Sequence, residues 1–86
     1  MRRGKGGFFV MKKGALIGYL NIDGETEWGL VTSDAPFIYS PNEYDKDYMA
    51  VTVVWPQDKL STTNERISMI LSNDETDSGL WLQSSL

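Results

Sequence analysis

The segment Tyr48-Met49-Ala50-Val51-Thr52-Val53-Val54-Trp55 decides the class of fold that this chain adopts. From Met49 to Trp55 every second residue is large and apolar, which places these side chains on one face of a β-strand. Pro56 ends the strand, because proline cannot donate a backbone hydrogen bond to a neighbouring strand. We therefore predict that residues 48–55 form the core strand of a β-sheet.

A β-hairpin is predicted before the core strand. Residues 15–22 and 27–32 have strand-like composition, and Asp23-Gly24 between them is a frequent hairpin turn. The pattern of the first strand places three apolar side chains on one face: Leu16, Leu20 and Ile22. Gly18 and Gly29 lie one in each strand, which indicates a bulge or close packing beneath an aromatic ring.

One segment after the core strand fits two structures. Thr62 and Glu65 match a capping box, and apolar residues within 67–71 have helical spacing, so a helix over about 63–72 is indicated. Ile67, Met69 and Leu71 in the same run also alternate as in a strand. In that case the polar segment 73–79 is a hairpin loop that leads into a final short strand, as in a β-meander. Both interpretations remain open at this point, with the meander favouring the strand.

The fold class predicted from these patterns is mainly β, a small antiparallel barrel or sandwich of about five to six strands. The alternative is an α+β domain in which one helix near 63–72 packs on a curved antiparallel sheet. Residues 37–39 lie between two prolines, which restricts them to a sheet edge or a loop. Since 86 residues supply one hydrophobic core, we expect a single β-rich domain, 14–86, behind a basic, flexible N-terminal arm, 1–13.

Charge is distributed unevenly along the chain. The net charge is −4, yet five of the eight basic residues lie within the first thirteen positions, where no acidic residue occurs. Residues 14–86 contain three basic residues and all twelve acidic residues, so their net charge is −9. Such a surface favours association with a basic protein partner and disfavours broad contact with nucleic-acid phosphates.

The residue types that the sequence lacks exclude several kinds of catalysis. It has no histidine and no cysteine, so Ser-His and Cys-His catalysis and thiolate or imidazole metal sites are excluded. Oxygen-bearing side chains in 73–79 alternate as in a calcium loop, but the glycine falls one position late and no bidentate acid follows. Nothing in the sequence distinguishes any two of the twelve acidic residues as the carboxylate pair that glycoside hydrolysis requires. We therefore predict that the protein is not an enzyme and uses no metal and no cofactor.

Hydropathy gives no sign of a membrane segment. No apolar run approaches the roughly 18 residues of a membrane span, and the longest, Ala15–Leu20, is interrupted by Gly18. The apolar stretch Phe8–Met11 stops at Lys12, short of the about 7 to 15 residues of a secretory signal. A cytoplasmic protein without a membrane partner is predicted.

Two acidic clusters and their aromatic neighbours form the predicted partner-binding surface. Tyrosine and tryptophan give large contact areas at low entropic cost and retain a polar group for hydrogen bonding. The candidate residues are Glu43, Tyr44, Asp45, Asp47, Tyr48, Asp74, Glu75, Asp77 and Trp81. The predicted function is a small non-catalytic protein-binding module, an inhibitor or accessory factor of the phage or mobile-element type, whose partner is a protein with a basic surface.

Two other functions remain open on the sequence alone. The basic arm, in which Phe8 and Phe9 precede Lys12 and Lys13, fits a small β-barrel that binds nucleic acid through stacking and phosphate contacts. An aromatic content of 12% exceeds what a core of this size readily buries. The aromatic side chains left exposed are typical of a structural subunit, or of a homo-oligomer such as a homodimer, that assembles through its strand edges.

Overall fold

Six antiparallel strands form one curled sheet in the computed structural model, which describes residues 11–74, 76 and 79–84. The strands are β1 (Leu16–Leu20), β2 (Thr26–Val31), β3 (Phe37–Tyr39), β4 (Tyr48–Trp55), β5 (Ser61–Arg66) and β6 (Gly79–Ser84). A 3-10 turn, Pro56–Asp58, follows β4, and one short helix, α1 (Ile67–Ser72), follows β5. The sheet is a half-barrel, which confirms the predicted mainly β class.

The predicted core strand is the centre of this sheet. β4 is the longest strand, with eight residues, and it pairs with β2, β3 and β5. Its partners β2 and β3 share one of its edges, and β5 occupies the other, because Val54 pairs with Leu30 on β2 and with Thr62 on β5. The strand order continues from β2 through β1 to β6. β4 therefore links β5 on one edge to β2 and β3 on the other.

The hydrophobic core lies on the concave face of the sheet. β4 contributes Val51, Val53 and Trp55, as its alternation predicts. The other members of the core are Met11, Ala15, Ile17, Val31, Ile67 and Ile70. Met49, predicted for the same face, is 38% exposed, because it pairs with Ile38 of the three-residue edge strand β3, away from the centre of the core.

The predicted hairpin of β1 and β2 is confirmed, but its loop is longer than the Asp-Gly turn alone. The loop spans 21–25, and the Asn21 side-chain oxygen accepts hydrogen bonds from the backbone N–H groups of Asp23 and Glu25, both at 2.9 Å. Ile22 therefore lies in the loop and is fully exposed, so its predicted place on an apolar strand face was wrong. The fully buried side chain of β1 is that of Ile17, on the opposite face.

The ambiguous segment after β4 is a strand followed by a helix. Residues 61–66 pair with β4 along its length, so Thr62 and Glu65 lie in β5 and the predicted capping box does not start the helix. Helix α1 begins only at Ile67, after an N-cap residue that makes no side-chain capping bond. Hydrogen bonding to β4 therefore overrides the local helix signal, while Ile67 and Ile70, three residues apart, cover the concave face.

Two hairpin glycines make room for tryptophan rings on opposite faces of the sheet. A Cβ atom at Gly29 would lie 2.9 Å from ring atoms of Trp55 on the concave face. A Cβ atom at Gly18 would clash with the Trp81 ring on the convex face, where Trp28 packs edge-on against that ring at 6.0 Å between centroids. Close packing of the two glycines beneath aromatic rings is thus confirmed.

The start of the described chain is tied to the end of β2. Met11 is fully buried, while Lys12 and Lys13 are exposed, and the Gly14 N–H donates to the Val31 carbonyl at 2.9 Å. Residues 1–10 of the predicted arm, including Phe8 and Phe9, lie outside the described residues.

Among the residues that the structure describes, no helix has the length and apolar character needed to cross a membrane.

Candidate functional site

A cavity of about 300 Å³ opens at one end of the concave face, and we call it the concave pocket. Its lining residues are Tyr19, Glu27, Trp55, Asp58, Ser61, Thr63, Glu65 and Leu80. The sheet register sets one wall, since Tyr19 of β1 lies opposite Glu27 of β2 and opposite Leu80 of β6. Three strands thus place an aromatic, an acidic and an aliphatic side chain in one row.

The second wall of the concave pocket comes from β5. Ser61, Thr63 and Glu65 alternate along this strand and face the same side as Trp55 and Val53 of β4. Because every inward residue of β5 in this row is polar, the wall offers hydrogen-bonding groups instead of extending the apolar core. The pocket therefore begins where the hydrophobic core ends.

The turn between β4 and β5 adds the third acidic side chain. Pro56 starts the 3-10 turn, and Asp58 accepts a hydrogen bond from the Ser61 hydroxyl at 2.8 Å. The next two residues, Lys59 and Leu60, have positive φ angles of 56° and 62°, a conformation that costs free energy in residues other than glycine. This tight reversal keeps Asp58 at the rim of the concave pocket.

Two aromatic rings meet inside the concave pocket. Tyr19 and Trp55 pack edge to face, with ring centroids 6.3 Å apart and an interplanar angle of 71°. Trp55 is 7% exposed and forms part of the floor, while Tyr19 is 37% exposed and stands as a wall. Their π-electron faces carry partial negative charge, which attracts cations.

A hydrogen-bond chain holds the floor and the β5 wall in fixed orientation. The Trp55 Nε1–H donates to the Thr63 hydroxyl at 2.8 Å, and that hydroxyl donates to a Glu65 carboxylate oxygen at 2.7 Å. Thr63 thus uses its one proton on Glu65 and one lone pair on the indole. The carboxylate of Glu65 and the ring of Trp55 are oriented before any ligand arrives.

The concave pocket has a one-sided charge. Glu27, Asp58 and Glu65 line it, and no basic side chain is among the described residues that do so. These carboxylates are not close enough together to form a metal cluster, and no other group of acidic residues in the described ranges does so either. The pocket therefore combines dispersed negative charge with aromatic surface.

The first predicted acidic cluster lies in the loop between β3 and β4, outside the concave pocket. The Asn42 side-chain oxygen accepts hydrogen bonds from the backbone N–H groups of Tyr44 and Asp45, and its amide donates to the Asp45 carboxylate at 2.8 Å. Asp47 accepts a hydrogen bond from Ser40 at 2.6 Å. Glu43 and Tyr44 are exposed, Tyr44 by 87%. The loop is held by its own side chains and offers these residues to solvent.

Tyr48, the last predicted residue of that region, is half-buried by neighbouring side chains. Its ring packs against Tyr39 at 5.7 Å between centroids, and the Arg66 guanidinium lies over it at 4.2 Å from the ring centre. One tyrosine face is therefore already occupied by a cation of the same chain.

Of the second predicted cluster, the structure describes Asp74 and Trp81. Asp74 and Trp81 both line a shallow cavity of about 380 Å³, together with Thr76 and Gln83, whereas Glu75 and Asp77 lie outside the described residues. Hydrogen bonds from the side chain and the backbone of Thr76 lower the pKa of the Asp74 carboxyl. Trp81 is only 4% exposed, so most of its ring faces the protein.

Sequence reasoning missed the concave pocket because six separate elements contribute to it. None of the described residues of the predicted surface lines it. One signal was present, since every residue of 61–66 is polar and this run follows the apolar strand 48–55 after a short turn. A polar inner row beside an apolar one indicates a cavity at the end of a core.

No protein-family model matches this chain, and no curated protein or solved structure shows significant similarity to it.

Proposed function

We propose that the protein is a non-catalytic binding module that receives a cationic side chain of a basic partner protein in the concave pocket. The observation that carries this proposal is the joint presence of two aromatic rings and three carboxylates, with no basic lining residue among those described. Binding to a basic surface of an enzyme or assembly is how such a module acts as an inhibitor or accessory factor.

The pocket chemistry supports a cation in two ways. A cation against an aromatic face gains about 0.5 to 2 kcal/mol, the larger value applying where water is excluded. Carboxylates such as Glu27 and Glu65 add hydrogen bonds assisted by charge, each worth about 1.5 to 3 kcal/mol. Glu65 is held in place by Thr63, so less rotational freedom is lost when the ligand binds.

The charge of the whole domain supports the same kind of partner. Residues 14–86 carry a balance of −9, which attracts a basic protein over distances near the Debye length of about 8 to 10 Å. Electrostatic attraction of this kind raises the association rate, whereas the pocket contacts set the dissociation rate. The proposed absence of catalysis rests on the lack of histidine and cysteine.

Removal of charge from two different places tests the proposal. The probe is a short synthetic peptide in which arginine and lysine alternate with serine, titrated by calorimetry at low ionic strength. One variant carries Glu27→Gln and Glu65→Gln in the concave pocket. The matched control, Glu43→Gln with Asp45→Asn, removes the same number of charges from the predicted binding loop.

We expect the pocket variant to bind the peptide at least about tenfold more weakly, since tenfold corresponds to about 1.4 kcal/mol. The loop variant is expected to change affinity by less than about twofold, because exposed charges contribute little. If only the loop variant loses affinity for the peptide, the peptide binds at the surface around Tyr44 and the pocket proposal is overturned. An absence of saturable binding by the unmodified protein overturns it as well.

A further inference from the structure

We infer that the concave pocket selects arginine over lysine in the partner protein, an inference that rests on the proposed function. The carboxylates of the concave pocket belong to separate elements, two of its lining residues are aromatic, and protein atoms cover most of its Trp55 floor. Each of these favours a flat, delocalised cation over a compact one.

The carboxylates are spread around the concave pocket instead of converging on one point. Glu27 belongs to β2, Asp58 to the 3-10 turn and Glu65 to β5. They share one cavity but do not form a group able to hold a single metal ion. A lysine ammonium is likewise a point charge, whereas the five N–H groups of a guanidinium point in several directions and reach separated acceptors together.

The aromatic walls also suit a guanidinium. Tyr19 and Trp55 present ring surfaces at a steep angle, so a flat cation stacked on one ring meets the other ring edge-on. The chain itself contains this kind of contact, since the Arg66 guanidinium lies 4.2 Å from the centre of the Tyr48 ring. Arginine stacks on aromatic faces through both charge and planarity, whereas an ammonium offers charge alone.

Water exclusion separates the two cations further. Trp55 is 7% exposed, because protein atoms such as those of Gly29 cover most of its ring, so a cation seated on the floor of the concave pocket meets protein instead of water on that side. A cation that reaches the floor must lose part of its hydration shell. Guanidinium is more weakly hydrated than ammonium, so this loss costs arginine less.

The test compares three peptides that differ at one central residue. The flanking residues are glycine and serine, and the central residue is arginine, lysine or citrulline, the neutral analogue of arginine. Binding is measured by NMR shift titration of the unmodified protein and of the Glu65→Gln variant. Glu43→Gln serves as the control variant.

We expect the arginine peptide to bind roughly threefold or more tightly than the lysine peptide, and the citrulline peptide not to saturate. Glu65→Gln is expected to remove most of the preference for arginine, while Glu43→Gln preserves it. If lysine binds as tightly as arginine and both depend on Glu65, the inference is overturned but the proposed function stands. If neither charged peptide gives saturable shifts in the unmodified protein, both are overturned.

Discussion

Gly18→Ala is the substitution whose effect on stability follows most directly from the packing. The added Cβ atom would clash with Cζ2 of the Trp81 ring and lie 2.5 Å from its Cε2 atom, closer than real contacts of this kind. Trp81 is 4% exposed and packs edge-on against Trp28, so its ring cannot move aside freely. Either the ring or the backbone of β1 must shift to admit the methyl group.

The expected loss of stability combines two opposing effects. Overpacking of a tight site costs about 1 to 3 kcal/mol. Replacement of glycine by alanine restricts the unfolded chain, which returns about 0.4 to 1 kcal/mol. We therefore expect Gly18→Ala to lower the free energy of unfolding by about 1.3 kcal/mol, the middle of a range from about 0 to 2.6 kcal/mol. A domain of this length has about 4 to 13 kcal/mol in total, so the variant remains folded.

Urea unfolding followed by circular dichroism measures this loss, and a Trp81→Leu background isolates its cause. Without the indole ring, the alanine methyl group has room, so Gly18→Ala is expected to be neutral or stabilising in that background. The control is Gly24→Ala, where no atom lies within 4 Å of the added Cβ but φ is +83°. Its cost comes from backbone strain and is expected to be equal in both backgrounds. An unchanged cost of Gly18→Ala in the Trp81→Leu background would refute the packing argument.

Two further predictions concern the core and a surface carboxyl. Ile70→Ala is expected to destabilise the protein by about 2 to 5 kcal/mol, because Ile70 is fully buried. Met69→Ala, on the exposed side of α1, is expected to change stability by less than about 1 kcal/mol in the same urea assay. Thr76→Val removes a hydroxyl that lowers the pKa of Asp74, so NMR titration should show the Asp74 pKa rising toward its usual value of about 3.9. Since the folded-state pKa lies below the unfolded one, this carboxyl stabilises the fold at neutral pH, and that stabilisation is lost as pH falls through the folded-state pKa. In the variant the two pKa values lie closer together, so less of this stabilisation is present at neutral pH. An Asp74 titration that does not move would contradict this assignment.

The part of the fold that could be predicted depends on signals that a single strand carries. Alternation from Met49 to Trp55 predicted the central strand, since period-two burial needs no knowledge of the neighbouring strands. Gly18 and Gly29 predicted close packing under rings, but the rings concerned, Trp81 and Trp55, belong to strands distant in sequence. Sequence therefore predicted the kind of contact and not the partner.

Other parts of the fold depend on pairing that a sequence does not display. Ile22 was placed on an apolar face because the Asn21 side chain, which organises a longer loop, was not recognised as a turn signal. Thr62 and Glu65 have a spacing typical of helix starts, yet their backbone groups pair with β4. Local hydrogen bonds to the Asn21 side chain decided the first case, and tertiary hydrogen bonds between β5 and β4 decided the second.

The candidate site was the least predictable feature. The acidic loop around Glu43 and Tyr44 was proposed because its charges are adjacent in sequence. In the concave pocket, Glu27 lies far in the chain from Asp58 and Glu65 and meets them only through the curl of the sheet. Charge balance predicted the kind of partner, while the position of the site required the register of β1, β2 and β5.

The three tryptophan side chains provide the most direct test of the central claim. Trp55 lies in the concave pocket, whereas Trp28 and Trp81 pack together on the convex face. The measurement is a ¹H–¹⁵N correlation spectrum of the indole N–H groups during titration with the alternating basic peptide. We predict that the Trp55 resonance shifts and saturates, because its Nε1–H is bonded to Thr63 in the pocket wall, while the other two stay in place. A saturable shift of Trp28 or Trp81 with Trp55 unmoved would contradict the account.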